Sequence, residues 1–326
     1  MALVNTMDIL RSCKTHKYAV GAFNINSLDQ PKALIDRAGR LASPIMLVIP
    51  GIIEKYVDFD DFSAVAARAA RHSEAPVALH LSHGTDLEQV RRACEAGFTS
   101  AMFDGSKLPF EENIAQTKLA VEIGHEHGCA VEGELGAIGS SFASVAESLT
   151  DPMLAKEFVS RTGVDILAVS IGNAHGFYKG APKLDFAQLE AIEKALSGNS
   201  AECCLTLHGG TGIPPGDIKR AIALGITKIC IYTEMCAEGK IRAKGYIDGH
   251  PEYAGNYDVP ELLAALTGGF ADVMQSCAEA FMSVGRADAV ACTRRAQIKD
   301  PGPPYPSYIA ENDGFVASGS YWGSAL

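Results

Sequence analysis

A chain of 326 residues with 47% hydrophobic and 21% charged side chains is long enough to bury a large core, and its apolar runs are too short to span a bilayer. The net charge of −11 disfavours nucleic acid and anionic lipid over most of the surface, so a phosphate-bearing ligand needs a local cradle. Nine cysteines without a CxxC pair and no continuous apolar segment near the start lead to the expectation of a reducing, cytoplasmic setting with no membrane partner.

Short β-branched runs then alternate with amphipathic stretches. The first strand is expected in "YAVGAFNIN" from Tyr18 and the second in "PIMLVIP" from Pro44. "PVALHLSH" from Pro76 supplies the third and leads into the helical stretch "DLEQVRRACEAG". "SAMFDG" from Ser100, "AVEGELG" from Ala130 and "ILAVSIGN" from Ile166 follow. "CCLTLHG" from Cys203, the helical "PPGDIKRAIALG" and "ITKICIYTE" from Ile226 complete the set. Eight βα repeats predict an α/β fold, a (β/α)8 TIM barrel. An open doubly wound sheet ranks second, because no GxGxxG follows the first strand. "AEGKIRAKGYIDGHPEYA" and "VPELLAALTGGFADVMQSCAEAFMSVG" are expected to form additional C-terminal helices outside the barrel, of the kind that often build oligomers. The barrel and these helices are assigned to residues 1–285. Residues 286–326, rich in Pro, Gly, Ser and aromatics and without periodicity, are expected to be an irregular tail or arm.

Active sites of such barrels lie at the carboxyl ends of the strands. His83 ends the third run, Asp104 the fourth and Glu134 the fifth, while His175 follows the sixth and His208 ends the seventh. A lone histidine is usually a hydrogen-bonded structural residue, which is the reading for His72, His125, His127 and His250. Three at neighbouring strand ends instead match the ligand set of a catalytic Zn²⁺. His80 shares strand parity with Ser82, so a supporting or core role suits it better than ligation. The turns "NAHGFYKG" from Asn173 and "HGGTG" from His208, with a helix start near Pro214 and the charge of Lys179, suggest a phosphate cradle.

Taken together, "YAVGAFNIN", "HLSHG", "EAGFTSAMFDGSKLPFEENI", "VEGELG", "GVDILAVSIGNAHGFYKG", "LHGGTGIP" and "ALGITKICIYTE" resemble the class II, zinc-dependent fructose-bisphosphate and tagatose-bisphosphate aldolases over residues 18–285. The resemblance implies that His83, His175 and His208 ligate zinc, with Asp104 and Glu134 near an alternative or second metal position. It also implies that Gly176, Lys179, Gly209, Gly210, Thr211 and Thr233 surround a substrate phosphate and an associated monovalent cation, and that Cys230 and Tyr232 line the substrate. In that family the metal polarises a ketose-phosphate carbonyl and stabilises the enediolate of a reversible aldol cleavage.

The chain departs from the family pattern at three places that handle protons and hydroxyls. Ser82 stands where the family's "HxDH" motif carries the catalytic aspartate, and a serine hydroxyl does not titrate near neutral pH. After Glu134 the stretch "GAIGSSFASVAESLTD" has Glu147 as its first acid, where the family has a Gly-Gly pair and clustered acids. Cys230 replaces a substrate-contacting asparagine. The preferred expectation is a zinc-dependent aldolase-type lyase, a homodimer or homotetramer, acting on a phosphorylated hydroxy-carbonyl substrate other than fructose 1,6-bisphosphate. Tyr178, Tyr232, Glu132 or metal-bound hydroxide stand in for the missing base. The alternatives are a metal-dependent isomerase or epimerase of a sugar phosphate and a non-catalytic sugar-phosphate-binding homologue.

Overall fold

Eight apolar runs become eight parallel strands that close on themselves in chain order, with β1 paired to both β2 and β8. They are β1 (Val20–Asn24), β2 (Ile45–Pro50), β3 (Val77–Gly84), β4 (Ser100–Phe103), β5 (Ala130–Leu135), β6 (Ile166–Val169), β7 (Cys204–Leu207) and β8 (Ile226–Ile231). The helices are α1 (Thr6–His16), α2 (Gln30–Arg40), α3 (Phe59–Ala70), α4 (Leu87–Glu95), α5 (Phe110–Glu126), α6 (Pro152–Thr162), α7 (Phe186–Leu196), α8 (Pro215–Ala223), α9 (Thr233–Gly249) and α10 (Val259–Ala280). This computed structural model describes residues 3–136, 138, 149–180, 182–197, 202–251 and 258–292. The stretch that holds Glu147 and the tail from residue 293 lie outside the described residues.

The strands are buried because their period of two feeds two cores. Phe23, Leu47, Leu79, Val131 and Leu205 face the helices, whereas Val20, Ala22, Met46, Val48, Ala78 and Ile166 fill the barrel interior. The floor of that interior is closed by α1, an element with no counterpart in the sequence reading. Asn5 caps α1 by accepting from Met7 N at 2.8 Å, and Met7 and Leu10 join the inner core.

After β8 the helix begins at once: α9 starts at Thr233, earlier than its hydropathy suggested. It packs on α10 through glycines. A Cβ on Gly269 would lie 2.8 Å from backbone atoms of Glu238 and Gly239, so the helices approach as closely as their backbones allow. Residues 286–292, grouped with the tail in the sequence reading, pack onto the body. Ala287 N donates to Ala42 O at 2.8 Å, Ser12 Oγ donates to Ala289 O at 3.0 Å, and Ala287 and Val290 are buried. None of the nine cysteines is in a disulfide. Among the described residues no helix is long and apolar enough to cross a membrane.

Candidate metal centre

Alternation along β3 sends His80 and Ser82 to the same face and would send His83 to the other. A β-bulge changes this. Leu81 pairs with Ala101 and Gly84 with Phe103, so β3 carries one residue more than β4 between the two pairs. His83 takes up the extra residue at φ 50°, a left-handed conformation that costs about 1–3 kcal/mol in a non-glycine residue. The bulge turns its ring into the barrel mouth.

There it meets the other two histidines. Ring centroids lie 5.1 Å apart for His83 and His175, 4.8 Å for His83 and His208, and 5.8 Å for His175 and His208, all edge to face. One donor nitrogen from each falls within 4.8 Å of the other two. Two side chains tie the carrying loops together. Asn173 Nδ2 donates to His208 O at 3.0 Å, while its Oδ1 accepts from Ile171 N at 2.8 Å. Tyr178 OH donates to Gly209 O at 3.0 Å and accepts from Ala174 N at 3.0 Å. Neither polar side chain was singled out as a loop staple by the sequence.

Carboxylates orient two of the rings. Asp104 Oδ2 lies 2.8 Å from His83 Nδ1, and Ser106 holds the other Asp104 oxygen. Burial lowers the affinity of His83 for a proton, but Asp104 and Glu134 outweigh it and leave the imidazole raised from its ordinary value. The Asp104 carboxyl sits well below the carboxylate range, because His83 and Ser106 overcome the opposing effect of burial. Glu132 Oε1 lies 2.8 Å from His208 Nε2, and burial pulls His208 down to about 3, so its ring is neutral. A carboxylate on one imidazole nitrogen leaves the other nitrogen's lone pair for a cation, the usual arrangement around a bound metal. The donor set therefore fits a divalent metal with three imidazoles, and His83, Asp104 and Glu134 form a second group able to hold one.

Glu134 strengthens that fit. It is 2% exposed, its Oε1 accepts from Ile138 N at 3.3 Å, and its Oε2 lies 4.0 Å from His83 Nδ1 with no hydrogen-bond partner. Burial and the nearby Asp104 push its carboxyl up to about 8. An orphaned buried carboxyl oxygen beside a histidine cluster is a natural cation ligand.

The glycine turns flank this centre. Gly176 and Gly209 have φ of 97° and 66°, which only glycine adopts freely, and Gly210 N donates to Cys230 O at 3.0 Å. Thr211 Oγ1 accepts from Glu234 N at 3.4 Å, tying the "HGGTG" turn to the start of α9. Thr233 is the first residue of α9, and Tyr232 at its cap position offers no side-chain cap, so apart from the Glu234 amide held by Thr211 the first turn has no side-chain cap from its own cap residue. Lys179 is exposed on the loop after His175. Tyr232 OH donates to Asn26 Oδ1 at 3.1 Å, and Cys230 is buried, its thiol pushed up to about 12 by burial. Ser82 is buried at the end of β3, opposite Pro50 of β2.

Of the remaining histidines, His125 pairs with Asp165, His127 contacts Ile123 O, and His250 stacks on Tyr246, all away from the cluster. His72 is exposed in the turn after α3. The sequence reading missed Lys228. It is fully buried on β8 and bonded to both Glu132 and His80. Its placement between apolar residues in "ITKICI", at the parity of Cys230, was the available signal.

The family model described as fructose-bisphosphate aldolase class-II matches residues 4–286. A probable fructose-bisphosphate aldolase of Bacillus subtilis is 43% identical over 242 residues, covering 72% of this chain and 82% of the relative. A fructose-bisphosphate aldolase of Geobacillus stearothermophilus is 42% identical with the same coverage. Among solved structures, the YdjI aldolase of Escherichia coli K12 superposes with a TM-score of 0.76 at 32% identity, covering 87% of this chain and 99% of that one.

Proposed function

Since the chain belongs to the class II fructose-bisphosphate aldolase family and is an aldolase-type lyase, we propose that it uses zinc to break or form a carbon–carbon bond in a phosphorylated hydroxy-carbonyl compound other than fructose 1,6-bisphosphate. The observation that carries this reading is the convergence of His83, His175 and His208 at the mouth; the substrate part rests on reading Ser82, buried at the neighbouring strand end, as the position of the family's catalytic aspartate.

His83, His175 and His208 would hold a divalent metal, which when bound would supply Lewis acidity toward a substrate carbonyl. Asp104 and Glu132 keep His83 and His208 aimed, and Asp104 with Glu134 offers a second or alternative position. Gly176, Gly209, Thr211 and Thr233 bring backbone amides and hydroxyls to the substrate phosphate, Gly210 lets the turn approach it closely while its own amide is held by Cys230 O, Lys179 adds charge and a monovalent cation balances the phosphate. Cys230 and Tyr232 line the carbon chain. A thiol is a weak hydrogen-bond partner, which favours a substrate with fewer or differently placed hydroxyls than fructose 1,6-bisphosphate.

Proton handling follows from which side chains are already engaged. Ser82 does not titrate, both Glu132 oxygens are occupied, and the Tyr178 hydroxyl is spent on the two turns. The Tyr232 hydroxyl is likewise engaged by Asn26, which leaves Glu134, with one oxygen lacking a partner, to exchange a proton with substrate. Exposed Ile241, Ile247, Val259 and Leu263 on α9 and α10 support assembly as a homodimer or homotetramer.

The test is product analysis by NMR with zinc-loaded protein and a panel of ketose phosphates alongside their dephosphorylated forms. Two carbonyl fragments from a phosphorylated substrate are expected. A rearranged ketose or aldose as the only product would replace carbon–carbon cleavage with isomerisation, and equal turnover of dephosphorylated forms would remove the phosphate cradle.

A further inference from the structure

Below the histidine cluster the barrel interior holds a continuous polar column where apolar layers are the rule. Thr6 Oγ1, at the start of the floor helix α1, donates to Ser100 Oγ at 2.9 Å. Ser100 Oγ lies 2.8 Å from His80 Nδ1, and His80 Nε2 lies 3.0 Å from Lys228 Nζ. Lys228 Nζ donates to Glu132 Oε2, and Glu132 Oε1 meets His208 Nε2 at 2.8 Å. Thr6, Ser100, His80, Lys228 and Glu132 are all fully buried.

The donors and acceptors of this column have one consistent assignment. An ammonium only donates, so His80 Nε2 accepts from Lys228, and His80 Nδ1–H is left to donate to Ser100. Lys228 is thereby held between two fixed acceptors. Its second acceptor is Glu132 Oε2, which commits the other carboxylate oxygen to His208. A carboxylate only accepts, so His208 carries its proton on Nε2 and presents the Nδ1 lone pair to the mouth.

A buried ion pair is poor fold cement: its desolvation cost roughly cancels its attraction, and apolar residues of the same volume would serve a barrel core at least as well. The pair between β5 and β8 is instead placed where it acts on a ligand. We propose that Lys228, itself oriented by His80, is a positioning residue that holds Glu132 on His208 and so fixes the His208 ring and tautomer that face the metal position. The tautomer assignment stands on the column alone, while its consequence for metal affinity rests on the reading of His208 as a zinc ligand.

The experiment uses full-length protein in wild type, Lys228→Met and the charge-neutral double variant Glu132→Gln/Lys228→Met. Three readouts are taken: histidine tautomers of the metal-stripped protein by long-range ¹H–¹⁵N correlation, zinc affinity by competition with a chromophoric chelator, and the visible spectrum of the cobalt-loaded protein. Wild type should show His208 protonated on Nε2 only. Lys228→Met should show a mixed tautomer, an altered cobalt spectrum and zinc binding weaker by roughly 10- to 100-fold, as for loss of other partners behind a ligand. The double variant removes the unpaired buried charge and should recover thermal stability without recovering zinc affinity, because the amide that replaces the carboxylate can turn either its oxygen or its nitrogen to His208. If Lys228→Met fails to fold, the double variant decides. A single Nε2–H tautomer with wild-type zinc affinity in a folded variant lacking Lys228 would overturn the proposal. A correct tautomer change without any zinc binding by wild type would leave the positioning role and overturn the metal reading.

Discussion

Replacing Gly209 by alanine probes the join between the two ligand-bearing turns. A Cβ there would sit 2.2 Å from Ala174 O and 2.6 Å from its carbonyl carbon, at a φ of 66°. Ordinary contact begins near 3.4 Å, so the turns must part by about 1 Å. The left-handed backbone costs about 1–2 kcal/mol, and backbone displacement against a packed neighbour raises the total to roughly 2–4 kcal/mol. For a domain of this size that is a fall in Tm on the order of 3–6 °C. The displaced backbone atoms adjoin His175 and His208, so the same movement pulls two rings apart. Zinc affinity should drop roughly 10- to 100-fold, and misplacement by about 1 Å at the reacting centre costs about 100-fold in rate. Thermal unfolding and chelator competition measure the two effects, with Gly180→Ala as a control because a Cβ there meets nothing within 4 Å. A Gly209→Ala protein with the Tm and zinc affinity of wild type would refute the claim that the two turns must be in backbone contact for the cluster to form.

The other predictions concern the cluster and the strand end. Metal analysis of purified protein should find about one tightly held zinc per chain, and His83→Ala, His175→Ala or His208→Ala should each strip it; retention in all three variants would remove the assignment. Metal-free protein should lose stability relative to Glu134→Gln as pH rises from about 4.5 to about 8. The folded state holds the Glu134 proton through that window and the unfolded state does not, so the stabilisation is complete below the window and gone above it. Parallel denaturant titrations at pH 5 and 8 with no difference between the two proteins would contradict this. Ser82→Asp should gain only part of the cleavage of fructose 1,6-bisphosphate that a positioned carboxylate provides, itself about 100- to 10,000-fold, and should lower turnover of the native substrate. Steady-state kinetics on both substrates checks it, and full efficiency in the single variant would show that Ser82 alone sets the difference.

The barrel was legible because each strand announces itself by a short β-branched run and each βα repeat by a turn, and the histidines stood out as polar residues at the ends of those runs. Other features depend on packing across the chain. α1 carries no unusual signal; it becomes the floor only because the closed barrel leaves Val20, Met46 and Ala78 needing cover. Alternation placed His83 on the wrong face, and only the extra residue against β4 brings it inward. Glu132 read as a candidate base because the partners that occupy it, Lys228 and His208, lie 96 and 76 residues away in the chain. Tyr178 read as a candidate proton carrier and Asn173 as a loop residue, and their work in stapling two turns appears only when β6 and β7 are side by side. Residues 286–292 lack periodicity, yet the bond from Ala287 N to Ala42 O, next to that from Gly285 N to Leu41 O, draws their start onto the body.

The most direct test of the function combines zinc-loaded protein and dihydroxyacetone phosphate, the smallest ketose phosphate, with a set of aldehydes that includes glyceraldehyde 3-phosphate, followed by mass spectrometry. The account predicts a zinc-dependent product whose mass is the sum of both reactants, absent with His208→Ala, and formed at least about 100-fold faster with some other aldehyde than with glyceraldehyde 3-phosphate. Fastest condensation with glyceraldehyde 3-phosphate would contradict the proposed substrate, and no summed product with any aldehyde would contradict carbon–carbon bond chemistry at this site.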